Sequence, residues 1–154
     1  MTTTLAFALR PAMPADVDFE HLLYASTRDD LRPLGPEVFD GLVGMQFRAQ
    51  MMSIRLDHPC AVSRIVVVDD SAAGRLIVDE SGEQIEVIDV ALLPEYRCQG
   101  IGTGLLRGVL AQADRMGRAI ALHVEKQSRA VRLYERLGFL ISGEAGLYFE
   151  MCRA

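Results

Sequence analysis

Between Val90 and Leu106 the chain reads VALLPEYRCQGIGTGLL, an apolar run cut at Pro94 and followed by glycines at positions 100, 102 and 104. A helical apolar pattern opens at these glycines, where the first N–H groups of a helix have no intrahelical acceptor. Oriented donors together with the positive end of the helix dipole make such a start a binding place for phosphate. The same glycines would also serve a tight turn with close helix–strand packing. Two phosphate-binding alternatives fit poorly. A P-loop needs Gly-Lys-Ser/Thr, which does not occur, and the dinucleotide fingerprint G-x-G-x-x-G would place glycine where Leu105 stands. No second nucleotide-binding half follows either.

Other reactive side chains are sparse. Cys60, Cys98 and Cys152 are odd in number and lack C-x-x-C spacing or a nearby histidine, so neither a disulfide framework nor a metal site is expected. His58 ends a helical pattern and His123 sits in an apolar strand; each reads as structural. The formal charge of −5 argues against a nucleic-acid surface and is compatible with a cationic substrate. The first residues lack a basic region followed by a long apolar one, and no run approaches the ~20 apolar residues of a membrane span, so a soluble, reducing, cytoplasmic setting is expected.

These 154 residues, half of them hydrophobic, fit a single domain with a substantial core. Leu5 to Arg10 reads as a first strand and Ala15 to Thr27 as a helix, and prolines mark Leu31 to Pro36 as a loop. Glu37 to His58 carries apolar residues at helical spacing and makes a helical hairpin or one long helix. A meander follows, with strands at Ala61 to Val68, Arg75 to Asp79 and Gln84 to Leu93, the first turn spanning Asp69 to Gly74. Then come a helix from Gly102 to Met116, a strand from Ala119 to Val124, a helix from Ser128 to Leu137, and strands at Phe139 to Ser142 and Leu147 to Cys152. That order predicts an α+β layer fold with a mixed sheet.

Two segments together resemble the GCN5-related N-acetyltransferases (GNAT family). The family's acyl-CoA signature, R/Q-x-x-G-x-G/A, stands as Arg97-Cys98-Gln99-Gly100-Ile101-Gly102. Its second signature, A-x-x-L-Y-x-x-x-G-F, stands at Ala130 to Phe139, one helix and one strand later. The resemblance implies a mixed, mostly antiparallel sheet of six to seven strands with about four helices, in α/β/α layers. It also implies that the fourth and fifth strands splay apart to admit the pantetheine arm of acetyl-CoA.

On that resemblance, backbone N–H groups of Cys98, Gln99, Gly100, Ile101, Gly102 and Thr103 would hold the pyrophosphate, and Arg97 could add a charge-assisted contact. Val90, Ala91 and Leu92 would pair with the pantetheine amides. Tyr134 would protonate the departing CoA thiolate. The attacking amine must first lose a proton, at a cost of about 4.6 kcal/mol at neutral pH for a pKa near 10.4. Glu86 stands where some family members carry a carboxylate base; Asp89 and water are its rivals, and strand alternation would set Asp89 on the face opposite Glu86. A solvated or arginine-paired charge remains open for both. Gln127 replaces an asparagine usual in the family, so its cofactor contact is in question and Ser128 could supply the helix cap.

The acidic residues Asp69, Asp70, Asp79, Glu80, Glu83, Glu86 and Asp89 would suit a cationic acceptor if they shared a cleft. The expected activity is therefore acetyl-CoA-dependent transfer of an acetyl group to a primary amine, on a small molecule or a protein, by a monomer or homodimer without a metal. A non-catalytic acyl-CoA-binding module is the alternative.

Overall fold

A computed structural model describes residues 5–154. In chain order it contains β1 (Ala8–Pro11), α1 (Val17–Ala25), α2 (Pro36–Asp57), β2 (Val62–Val68), β3 (Ser71–Asp79) and β4 (Ile85–Leu92). These are followed by α3 (Ile101–Met116), β5 (Ile120–Glu125), α4 (Ala130–Arg136), β6 (Leu140–Ala145) and β7 (Tyr148–Arg153). One seven-stranded sheet runs β1-β2-β3-β4-β5-β7-β6. Every neighbouring pair is antiparallel except β4 and β5. The seven strands and four α-helices match the architecture implied by the two signatures.

Each sheet face has its own apolar layer. Leu76, Val78, Val87, Leu122 and Val124 pack with α3 and α4 on one face. On the other, Ile65 and Ile77 lie in a layer closed by Leu23 of α1 and by Phe39, Val43 and Phe47 of α2, spaced four apart along one helix stripe. Helix α2 is continuous from Pro36 to Asp57, which resolves the choice between hairpin and single helix. Met45 points to solvent, whereas Met51 and Met52 line a separate cavity of about 700 Å³ with Phe47 and Arg48. In α3, Ile101, Leu105, Leu106, Leu110 and Ala113 are all buried. At about 1.5–3 kcal/mol for each large apolar side chain, this burial fixes the start of α3 against the sheet.

Several boundaries differ from the sequence expectation. The first strand begins at Ala8 and includes Pro11, whose missing N–H is tolerated because β1 is an edge. A 3₁₀ helix spans Asp29–Leu34 where a loop was expected. The β2–β3 turn is only Asp69 and Asp70, both at positive φ (49° and 64°), so β3 starts at Ser71 rather than Arg75. Aspartate tolerates this left-handed geometry better than most residues and so permits a two-residue hairpin.

The largest correction concerns β4. Ile77 pairs with Asp89 while the adjacent Val78 pairs with Val87, leaving Ile88 as an extra residue in a β-bulge. The bulge resets alternation, so Asp89 and Glu86 lie on the same face, that of α1 and α2, and not on opposite faces.

At the sheet edge, Arg10 and Asp16 form a two-pronged ion pair at 2.8 Å for each contact, and the Met13 N–H donates to the same carboxylate at 2.7 Å. The Arg10 contact, followed by the Met13 amide, lowers the Asp16 pKa from 3.8 to about 2. A lowered folded-state pKa stabilises the fold at pH values above the unfolded pKa and loses that effect as the carboxylate protonates. Asp16→Asn is therefore expected to be less stable than wild type above pH 3.8, with the difference vanishing as pH falls through about 2. Urea denaturation at stepped pH measures it; a pH-independent difference would contradict this assignment.

Candidate active site

Strands β4 and β5 pair over only three positions, Ile85–Ile120, Glu86–Ala121 and Val87–Leu122. Beyond the bulge they separate, and β4 continues to Leu92 with its outer edge unpaired by β5. A cleft of about 980 Å³ opens there. Its floor is the diverging strands, from Ile88 to Ala91 and from His123 to Glu125. Its walls are the α1–α2 connection (Thr27 to Asp30), Gln50 of α2, Ser128 and Tyr134 near α4, and Tyr148. An adjoining cavity of about 440 Å³ shares Val90, Ala91, Ser128 and Tyr134 and runs on to Leu92, Arg97 and Gly102. One channel thus leads from the start of α3, along the free edge of β4, to Tyr134.

The turn that opens α3 leaves its donors unused. Gly104 N–H bonds the Gly100 carbonyl at 3.0 Å, closing the first helical turn. The N–H groups of Cys98 through Thr103 have no acceptor among the described residues. The three glycines have different causes. Gly100 adopts φ +84°, a left-handed geometry that turns the chain into the helix. A Cβ on Gly104 would lie 2.8 Å from the Phe7 ring, so that glycine allows close packing. A Cβ on Gly102 would meet nothing within 4 Å, leaving its backbone open on the cavity side. Six donors at the positive end of a sixteen-residue helix fit a pyrophosphate.

A fourth glycine controls the edge of β4. A Cβ at Gly74 of β3 would collide with the Ala91 carbonyl and lie 2.7 Å from Leu92 Cδ2 and 3.2 Å from Leu92 Cα. Backbone cannot yield as a flexible side chain can. Gly74→Ala is thus expected to displace Ala91 and Leu92 and weaken CoA binding about tenfold or more, at an overpacking cost of about 1–3 kcal/mol. Calorimetric titration with CoA checks this; unchanged affinity would contradict it.

Tyr134 stands at the junction of the two cavities, edge-on to Phe139 with ring centroids 5.7 Å apart. Its hydroxyl has no hydrogen-bond partner among the described residues. Burial, and secondarily the negative charge of Asp89, push its pKa above the ordinary phenol value of 10.0. It therefore remains a protonated donor at neutral pH.

Asp89 faces the same cleft but is held from below. Arg75, only 2% exposed, donates to Asp89 Oδ2 from Nε at 3.0 Å and from Nη2 at 2.8 Å. The same guanidinium reaches Glu20 at 3.3 Å and Gln50 at 3.2 Å, tying α1, α2, β3 and β4 together beneath the cleft.

The structure does not bring Glu86 together with Tyr134. Glu86 instead lies 3.4 Å from His58 Nδ1, beside Asp79, and lines neighbouring cavities. The acidic residues of the meander are likewise dispersed: Asp89 faces the large cleft, Asp79 and Glu86 surround His58, and Asp69 and Asp70 occupy a hairpin tip. The Asp79 carboxyl is lowered chiefly by the Ser81 hydroxyl and amide. Arg97 is engaged with protein, donating to the Leu92 carbonyl at 2.9 Å and to the Ser26 carbonyl and hydroxyl at 3.3 Å each. It ties the end of β4 to the end of α1. Gln127 is exposed and lines neither cavity; Ser128 lines both and accepts the N–H of Ala130, the first residue of α4, at 3.1 Å, although Arg129 stands at the N-cap position.

Sequence reasoning missed the α1–α2 connection, Gln50, His123 and Tyr148 as cleft residues. The loop carries no motif, and His123 was masked by its apolar neighbours. Among the described residues, no cluster of three histidine, cysteine or acidic side chains could hold a metal ion, and no helix is long and apolar enough to cross a membrane.

A family model described as Acetyltransferase (GNAT) family matches residues 23–139, about three-quarters of the chain. The chain belongs to the GNAT acetyltransferase family. Comparison of its sequence with curated proteins gives no significant match. Among solved structures, this GNAT chain is similar in fold to the PaiA N-acetyltransferase from Thermoplasma acidophilum, determined with coenzyme A. The TM-score is 0.74 at 16% identity, over 97% of this chain and 99% of that one. A GNAT acetyltransferase from Elizabethkingia anophelis with acetyl-CoA bound gives a TM-score of 0.64 at 15% identity, over 96% and 97% of the two chains. A chimera of the Vibrio cholerae spermidine N-acetyltransferase SpeG and hSSAT gives 0.64 at 20% identity, over 96% and 94%.

Proposed function

We propose that this GNAT chain is an acetyl-CoA-dependent N-acetyltransferase acting on a primary amine by direct attack on the thioester. One juxtaposition carries the reading: N–H groups at the start of α3 and a Tyr134 hydroxyl without partners among the described residues, and an edge of β4 unpaired by β5 at Val90 to Leu92, along one channel. In this reading the N–H groups of Cys98 to Thr103 bind the pyrophosphate and the edge of β4 pairs with pantetheine. That pairing delivers the acetyl group to the gap beyond the bulge. The amine enters from the α1–α2 side, its nitrogen attacks the carbonyl carbon, and strand N–H groups stabilise the oxyanion. The C–S bond then breaks and Tyr134 protonates the thiolate. Most of the acceleration comes from holding amine and thioester together.

The test is thiol release from acetyl-CoA with spermidine, free lysine, an aminoglycoside and a peptide amino terminus offered as acceptors. Spermidine belongs in the panel because it is the named substrate of one structural neighbour. Turnover with any of these amines supports the reading. Saturable CoA binding without turnover on all of them favours the alternative, a non-catalytic acyl-CoA-binding module.

A further inference from the structure

Strand β5 places His123 where two cavities meet. It lines the large cleft that holds Tyr134 and Asp89, and also a cavity of about 100 Å³ with His58 and Glu86. Leu122 and Val124, its neighbours along β5, are buried with α3 and α4, so His123 projects from the opposite face. Tyr134 belongs to the α4 side. The gap between β4 and β5 therefore has a phenol on one side and an imidazole on the other, the imidazole on the side of the α1–α2 connection. The His123 side chain is 62% exposed, and its Nε2 lies 3.8 Å from Glu150 Oε2 on β7.

We propose that His123 is the group that takes the proton from the attacking amine, an assignment that rests on the acetyl-transfer reading. The two carboxylates that the sequence offered as bases, Asp89 and Glu86, are worse placed or worse suited. Asp89 is committed to Arg75 through Oδ2, and Glu86 does not line the cleft. A free alkylammonium lies about four pK units above a free imidazole but more than about six above a free carboxylate, so an imidazole is the better-matched acceptor.

The protons balance. An ammonium gives one proton to His123, the neutral nitrogen forms the N–C bond, and the C–S electron pair leaves with sulfur. Tyr134 protonates that thiolate, and the second nitrogen proton restores the phenol. His123 passes its proton to solvent past Glu150. The charged and titratable groups around His123 are Glu125 on its own strand, Glu150 and Tyr148 on β7, and Glu86 and Asp89 on β4. His58 closes the small cavity, and Arg28, Asp29 and Asp30 face it across the cleft.

The experiment measures kcat/KM across neutral and alkaline pH for wild type, His123→Gln and His123→Ala, using whichever of the four amines turns over, with CoA affinity as a parallel readout. His123→Gln is expected to bind CoA as wild type does and to lose about 10²-fold in kcat/KM at neutral pH. The loss should shrink as pH rises and more amine arrives neutral, and added imidazole should restore rate to His123→Ala. A wild-type profile in His123→Gln, or a pH-independent loss that imidazole does not relieve, overturns the proposal. Failure of the wild-type protein to turn over any of the four amines overturns the acetyl-transfer reading itself, and this assignment with it.

Discussion

Arg75→Met is expected to destabilise the fold by about 3–5 kcal/mol, the usual cost of removing one partner from a buried ion pair. Arg75 is among the largest fully buried side chains, and it neutralises two carboxylates, Glu20 and Asp89, from the centre of β3. Methionine fills much of the same volume, so the loss comes mainly from stranding Glu20, itself only 9% exposed. For a domain of this size that corresponds to a fall of roughly 10 °C or more in Tm. The double variant Arg75→Met, Glu20→Leu should recover part of the loss, because it removes the more deeply buried of the two stranded carboxylates and leaves only Asp89. Urea denaturation of the two variants checks both statements. A loss below about 1 kcal/mol for Arg75→Met would show that water already relieves the pair.

Tyr134→Phe is expected to lower kcat about 10²-fold while leaving the KM for acetyl-CoA and the melting temperature unchanged. The phenol oxygen has no partner among the described residues, so its removal strands none of their donors or acceptors and leaves the edge-on contact with Phe139 in place. Its protonation state gives a second signature. Burial, aided by the charge of Asp89, raises the Tyr134 pKa, so the proton-donating form persists to higher pH than in a free tyrosine. Wild-type kcat should therefore stay level through the range in which a free tyrosine ionises before falling, and Tyr134→Phe should lack that fall. A kcat loss below threefold would remove Tyr134 from the leaving-group step.

The parts of the fold legible in the sequence are those where local pattern and tertiary packing agree. The stripe Phe39, Val43, Phe47 announces a helix with one buried face, and the structure buries it. The segment Arg97 to Gly102 announces a strand-to-helix turn because few other structures need glycine and an apolar helix start at that spacing. Ile85 to Leu92, by contrast, reads as simple alternation, and nothing in I-E-V-I-D-V-A-L marks Ile88 as a bulge. The bulge is imposed by pairing with β3, and it alone decides which carboxylate faces the cleft. Ser71 to Gly74 was hidden for a different reason. These small residues have poor strand propensity, yet Gly74 sits in the strand because the Ala91 carbonyl comes too close for any side chain. Glu20 and Arg75 lie in elements whose polar residues are expected to face water, and only the assembled layers make them partners.

The central claim, that the start of α3 and the free edge of β4 hold CoA, is tested most directly by an amide-resolved NMR titration. Adding CoA should shift the resonances of Cys98 through Thr103 and of Val90 through Leu92 most strongly, saturably and together. The amides at the far hairpin, Asp69 and Asp70, should stay in place. Saturation with the largest shifts elsewhere, or no saturable response at all, would contradict the account.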